Sequence, residues 1–470
     1  RRQRQMCIRD RYAQEIYESA IVATNGWVEN YYKRLYATIY LANLVIERFD
    51  AAESEVKARN IAEAKFFRAI CYFELTTLWG TPPLVDRVLK NSEEYKVPNS
   101  TAEQLWKFME TDLTEAITSG KLTSKTSLED RDGGTRATLE AARCLLGKIY
   151  LYQEKYADAK SELEKVISSG KYDLIADVST FYHPASAGCK EYVLECVRHY
   201  DPSNMYSQEG WFGILANWGF GYGFIAGPEA SMHYKFNTTS GYSYFNPSKS
   251  LYDAFVAEEG ADGYRLNAWI RTWEQVIAMN IAVNTTTNKY ASEGYFRLKW
   301  LASTDDEFVG YWCGNQSNTP VIRYADVLLM AAEACLQAGD QAGADEYLGR
   351  VRDRARLPRK SHVTLSDIKL ERRLELAMEG MRFQDLKRWG DAPAVLADKG
   401  KKLPTFQIVP DPNNDLTTAA GIYNARYTTK TTYVDNEKSL AGWTPNRDEW
   451  LPFPENELEV NSNLKQNPGY

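Results

Sequence analysis

The sequence predicts a mainly α-helical protein in which helix–turn–helix pairs scaffold an irregular, loop-rich lobe with short strands. Three observations point there. Apolar residues recur at helical spacing toward both ends of the chain, one helical pair repeats, and the composition changes between the copies.

From Ala13 to Phe49, Ile16, Trp27, Tyr31, Leu35, Ile39, Ala42 and Ile46 follow a helical period. A second helix is expected over Lys57–Trp79, stopped by Gly80-Thr81-Pro82-Pro83, since proline cannot continue a helix. Ser100-Thr101-Ala102-Glu103 announces a third, with Ser100 as cap and Glu103 reaching back, and Gly120 ends it. Leu146, Gly147, Tyr150, Ala159, Leu163 and Val166 align with Ala331, Ala332, Cys335, Ala344, Leu348 and Val351 at one constant offset. Small residues stand where two helices would cross closely, which fits the tetratricopeptide template. Lys65–Gly120 reads as another such pair whose connection is lengthened over Trp79–Asn99, and three pairs suffice to stack into a continuous core. Further helices are expected over Ser366–Gly380 and Arg382–Gly390.

Residues 172–318 are rich in Gly, Tyr, Trp, Asn and Ser, with strand-like pieces at Tyr192–Val197 and Tyr295–Trp300. An irregular insert of this length inside a compact protein implies a function. The expected organisation is therefore a helical scaffold over 12–171, the lobe over 172–318, scaffold helices over 319–399, and a loop-rich segment with a docked tail over 400–470. In that tail, Pro452 and Pro454 stiffen the chain, Pro454-Glu455 followed by Glu457-Leu458 suits one helical turn, and Leu451, Phe453, Leu458, Val460 and Leu464 offer apolar anchors. The expected role of the tail is to run back across the helices and close the fold.

Composition narrows the function. A net charge of −7 argues against a nucleic-acid surface, and no apolar run is long enough to span a bilayer. Cys71, Cys144 and Cys335 fall on apolar helix faces and read as buried free thiols. The four histidines have no metal-ligand spacing, and neither a nucleophile elbow nor a phosphate-binding loop occurs. No catalytic residue, metal ligand or cofactor is therefore assigned. Glu258-Glu259 and Asp305-Asp306-Glu307 read as solvated loop charges, Trp269 and Trp273 as a helical core stripe, and Arg382, Asp385, Lys387 and Arg388 as intrahelical pairs.

The aromatic content is the distinctive feature. Glu209–Phe224, EGWFGILANWGFGYGF, sets Trp211, Phe212, Trp218, Phe220, Tyr222 and Phe224 among glycines, with Asn204, Gln208 and Asn217 nearby. Sugar rings present apolar C–H faces to aromatic planes and hydroxyls to amides, so this mixture suits a carbohydrate site. The competing reading is that any single ring packs inward to pin the lobe.

Five ordered blocks carry a family resemblance: Trp27, Tyr31, Tyr36 and Asn43; Ala64–Val85; Thr135–Tyr172; Asn318–Gly339 with Glu371–Gly390; and the closing LPFPENELEVNSNLKQNPGY. Together they resemble the SusD/RagB family of outer-membrane nutrient-binding lipoproteins of Bacteroidetes. The resemblance implies a non-enzymatic, lipid-anchored cell-surface protein that captures oligo- or polysaccharide for a SusC-like TonB-dependent transporter. It also implies that aromatics from the loop after the second helix, here Trp79, share the glycan platform with the central lobe. Residues 1–11, RRQRQMCIRDR, lack the family's signal peptide and lipidated cysteine and read as a non-native leader, the true start being missing. Peptide import within the same family, a tetratricopeptide adaptor and a carbohydrate-active enzyme are the alternatives. The last would place two carboxylates across an aromatic cleft.

Overall fold

The computed structural model describes residues 21–197, 247–278, 289–290, 293–299, 318–415, 417–418, 421, 426–437 and 440–470. Helix α1 spans Gly26–Arg48. Asn25 caps it, accepting from the amides of Trp27 and Val28 at 3.0 and 3.2 Å, while the part of the apolar period from Ala13 to Ala20 lies outside the described residues. Helix α2 (Glu55–Trp79) starts at the cap Ser54 and stops at Gly80. There φ is +79°, and an added Cβ would lie 2.9 Å from the Trp450 ring, so both backbone and space require glycine. Helix α3 (Ala102–Thr118) does open with a capping box, but one residue later than expected: Thr101 is the cap and Gln104 reaches back.

Helices α4 (Leu139–Tyr152) and α5 (Tyr156–Ser168) form the first copy of the repeat. The second copy is α9 (Tyr324–Gln337) with α10 (Gln341–Arg354). Between the copies lie α6 (Lys249–Glu259), α7 (Tyr264–Trp269) and α8 (Trp273–Ala278). Each scaffold helix from α1 to α4 packs on its successor, and α9 packs on α5 and α10, so the copies stack on one core. Gly147 permits the α4–α5 crossing, since a Cβ there would come within 2.8 Å of Leu163 Cγ. Gly147→Val is expected to cost about 1–3 kcal/mol by overpacking, read as a lower urea midpoint. An unchanged midpoint would mean that the crossing is not tight. Helix α9 is buried on all sides from Tyr324 to Cys335, as befits the centre of the stack. Helices α11 (Leu365–Glu375), α12 (Arg382–Arg388) and the short α13 (Ala392–Val395) follow.

A second, smaller core gathers Phe181, Tyr192, Phe255, Leu266, Trp269 and Leu374. Trp269 and Trp273 are both buried but not in one helix: Trp269 ends α7, strand β2 (Ile270–Thr272) intervenes, and Trp273 begins α8. Strand β1 (Tyr192–Cys196) pairs antiparallel with β5 (Thr319–Arg323), joining the start of the lobe to the helix that follows it. Strand β2 pairs with β4 (Tyr295–Arg297). The segment expected to be loop-rich after residue 400 contains a regular hairpin, β6 (Lys402–Pro410) with β7 (Tyr427–Asp435), and β3 (Lys289–Tyr290) adds to its free edge. Its alternating Thr, Tyr and Val residues signal strand. Phe406 fastens the hairpin to the lobe, with ring centroids 5.9 Å from Trp273 and 6.3 Å from Phe296.

Buried charge joins the segments around residues 191, 258–265 and 299 to residues 323–379. Arg265, Lys299, Arg323, Arg352 and Arg354 interleave with Glu191, Glu258, Glu259, Glu371, Glu375 and Glu379. Glu259 is therefore not a solvated loop charge: its carboxylate is buried 2.7 Å from Arg265 Nε. Glu258 likewise meets Arg352 at 2.6 Å. On α12, only Asp385–Arg388 is an intrahelical pair. Asp385 also meets Arg372 at 2.9 Å, Arg388 holds Glu333 of α9, and Lys387 donates to main-chain carbonyls, so that stripe fastens different elements together.

Candidate functional site

The segment singled out for ligand contact, with Asn204, Trp211, Phe212, Asn217, Trp218, Phe220, Tyr222 and Phe224, lies outside the described residues. The remaining candidate, Trp79, is described, and it is fully buried. Its indole Nε1 donates to the Pro452 carbonyl at 2.9 Å, and its ring lies 5.3 Å from Tyr32. A ring with no exposed face cannot stack on a sugar. Trp79 is instead the floor on which the C-terminal tail docks.

That docking builds a cleft. The tail's single helical turn, α14 (Glu455–Val460), lies beside α1 and the long connection between α2 and α3. The connection is held from below. Tyr36 Oη donates to Pro83 O at 2.7 Å, Asn43 Nδ2 to Val85 O and Arg87 O at 3.1 Å, and Arg68 Nη1 to Asp86 O at 3.0 Å. Arg68 is itself paired with the buried Asp112 at 2.7 Å. It is held from above by the tail, where Asn99 and Lys465 exchange two hydrogen bonds of 2.7 and 3.0 Å and Asn461 Nδ2 donates to Val97 O at 2.7 Å. Phe453 and Leu464 are buried anchors as expected. Val460 is not an anchor, being 69% exposed on the rim of the cleft.

The cleft has a volume of about 390 Å³. Tyr32, Tyr36, Tyr40 and Tyr95 contribute rings, and Arg87, Ser92, Glu457 and Asn461 contribute polar groups. Tyr40 is 49% and Tyr95 59% exposed, so both offer free ring surface beside hydrogen-bonding groups. Burial pushes the phenols of Tyr32 and Tyr36 up, keeping them protonated donors, and burial also raises the Glu457 carboxyl against the pull of Lys33. Such a wall can hold a small polar ring by stacking and hydrogen bonds. Tyr95 had a sequence signal that passed unused: it is an aromatic in the otherwise polar run Asn91-Ser92-Glu93-Glu94.

Among the described residues one group of side chains has the reach to hold a metal ion. Glu164, Cys335 and Asp340 come together, but Lys160 Nζ already sits 2.7 Å from Asp340 and 4.0 Å from Glu164. Cys71, Cys144, Cys189, Cys196 and Cys335 are free thiols, and burial raises Cys71 and Cys335 to about 12. Among the described residues no helix is long and apolar enough to cross a membrane.

Known proteins share both the sequence and the fold. A SusD-like protein of Bacteroides ovatus is 25% identical over 92% of this chain and 79% of its own length. SusD-like protein P2 of Formosa agariphila is 26% identical over 95% and 81%. Among solved structures, a laminarin binding SusD-like protein superposes with a TM-score of 0.75 at 27% identity, covering 97% of this chain and 89% of that one. Surface glycan-binding protein A from Bacteroides thetaiotaomicron, in complex with laminarihexaose, shares the fold with a TM-score of 0.71 at 23% identity over 97% and 89%. Residues 2–151 match a family described as starch-binding associating with outer membrane, a description that links the family to that membrane. Residues 190–470, more than half the sequence, match the SusD family itself, and the chain belongs to that family.

Proposed function

We propose that this chain is a non-catalytic, lipid-anchored cell-surface protein that captures an oligo- or polysaccharide and delivers it to a TonB-dependent outer-membrane transporter. The observation that carries this reading is its likeness, along nearly its whole length, to a laminarin binding SusD-like protein. The chain supplies aromatic residues of the right kind: the exposed rings of Tyr40 and Tyr95 and, in its sequence, the run Trp211, Phe212, Trp218, Phe220, Tyr222 and Phe224 with Asn204 and Asn217. A β-glucan of the laminarin type is the first ligand to try.

Calorimetric titration with laminarin, within a glycan panel, is expected to give saturable binding. Replacing Trp211 and Trp218 together by alanine is expected to abolish it while leaving the helical circular dichroism intact. Absence of binding to every glycan, together with no transporter co-purifying from the outer membrane, would overturn the proposal. Binding of peptides alone would reassign the cargo.

A further inference from the structure

The Tyr40–Tyr95 cleft carries an unbalanced charge. Two charged side chains line it, Arg87 from the connection and Glu457 from α14. Arg87 is matched: its guanidinium pairs with Glu94, and its side chain is 53% exposed, so water screens what remains. Glu457 is not matched. Among the described residues its carboxylate has no hydrogen bond and no ion pair. The cation whose charge reaches it, Lys33 of α1, is already paired with Glu29 at 2.5 Å.

This carboxylate and the cleft share one space. Glu457 is partly buried, and its charge adds to burial in raising the phenols of Tyr32 and Tyr36, two residues of the cleft wall. The other polar groups of the wall divide into engaged and free. The amides of Asn43 and Asn461 already donate to main-chain carbonyls. The hydroxyls of Tyr40, Ser92 and Tyr95 have no hydrogen-bond partner among the described residues.

A ligand entering the cleft therefore meets one unmatched negative charge, three free hydroxyls and the exposed faces of two rings. A sugar carboxylate or sulfate would bring a like charge into a partly desolvated space, which disfavours it. A neutral sugar donates a hydroxyl to the carboxylate, and such a charge-assisted hydrogen bond is stronger than one between neutral groups. An ammonium on the sugar gains a direct attraction.

We propose that Glu457 sets the charge selectivity of this cleft, admitting neutral and amine-bearing sugars and refusing uronates and sulfated sugars. The proposal rests on the capture reading above and narrows the class of glycan taken. Calorimetric titration of the whole chain at about pH 7, where carboxylates and amines are charged, tests it. The ligands are laminarin, C6-oxidised laminarin and 6-amino-6-deoxylaminarin, which share one backbone and differ in the charge of one substituent. The oxidised form is expected to bind at least about fivefold more weakly than laminarin, and the amino form at least as tightly. Glu457→Gln is expected to bring the oxidised form within about twofold of laminarin. Glu459→Gln removes an exposed charge from the same helical turn but outside the cleft, and is expected to keep the gap. Glu457 makes no side-chain bond for the fold to lose, so an unchanged melting temperature is expected for Glu457→Gln. A gap that survives Glu457→Gln, a gap lost equally in Glu459→Gln, or no gap in the parent overturns the proposal. Laminarin binding without such selection sinks this inference alone, whereas binding of no glycan at all sinks the capture reading and this inference with it.

Discussion

Replacing Glu375 by alanine is expected to lower stability by about 3–5 kcal/mol, the largest loss foreseen for any single charge in this molecule. Glu375 is fully buried, with Arg323 and Arg265 each 3.0 Å from its carboxylate and Arg354 closer still. Removing it leaves Arg265, Arg323 and Arg354 one buried counter-charge short, with only Glu191, Glu259, Glu371 and Glu379 to offset their mutual repulsion. Burial works against ionising Glu375, but Arg354, Arg323, Arg265 and Lys299 outweigh it and hold the carboxyl well below its ordinary 4.5. Its folded pKa being depressed, the contribution is present above pH 4.5 and is lost as pH falls through the folded value. Urea unfolding at neutral pH checks the size, and repetition toward acid checks the sign. A loss below about 1 kcal/mol at neutral pH would show that this network adds nothing beyond surface pairing.

Trp79→Ala is expected to cost a similar amount, about 3–5 kcal/mol for a buried tryptophan, and to free the tail as well. The indole bonds Pro452 O, while the main-chain carbonyl of Trp79 accepts from Asn467 Nδ2 at 3.0 Å. Gly80 holds the Trp450 ring close by. With the floor removed, Phe453 and Leu464 lose their seat, and limited proteolysis is expected to cut within 451–470 before the scaffold is touched. Trp79→Phe keeps most of the area and loses only the N–H bond, so it should cost about 1 kcal/mol. A variant Trp79→Ala whose tail resists protease as well as the parent would contradict this account.

The helices were legible because period and punctuation agreed. Gly80 ends α2 where the sequence stops it, and the Gly147–Leu163 contact explains why the repeat keeps a small residue at its crossing. The ionic network was not legible, since Arg323 and Glu375 are 52 residues apart and pairing follows from three-dimensional proximity, which no spacing encodes. For the same reason Glu258-Glu259 read as solvent-facing. Trp79 was misread because a tryptophan before a Gly-Pro-rich turn looks the same whether the turn is bare or covered. Only the tail, more than 370 residues later, decides between them. Tyr40 and Tyr95 became candidates once the tail was seen to form the opposite wall.

The tail's contacts have a consequence in time. A chain made from its N-terminus at roughly 5–20 residues per second presents α1 and α2 long before Leu451–Tyr470 exists. Until that segment arrives, Trp79 and Tyr32 keep their apolar faces open, and the connection over residues 81–99 lacks its upper clamp at Asn99. The contacts that cover Trp79 can therefore form only after Leu451–Tyr470 has been made. A chain lacking Leu451–Tyr470 would leave Trp79 without the segment that covers it, one apolar ring marking the missing closure.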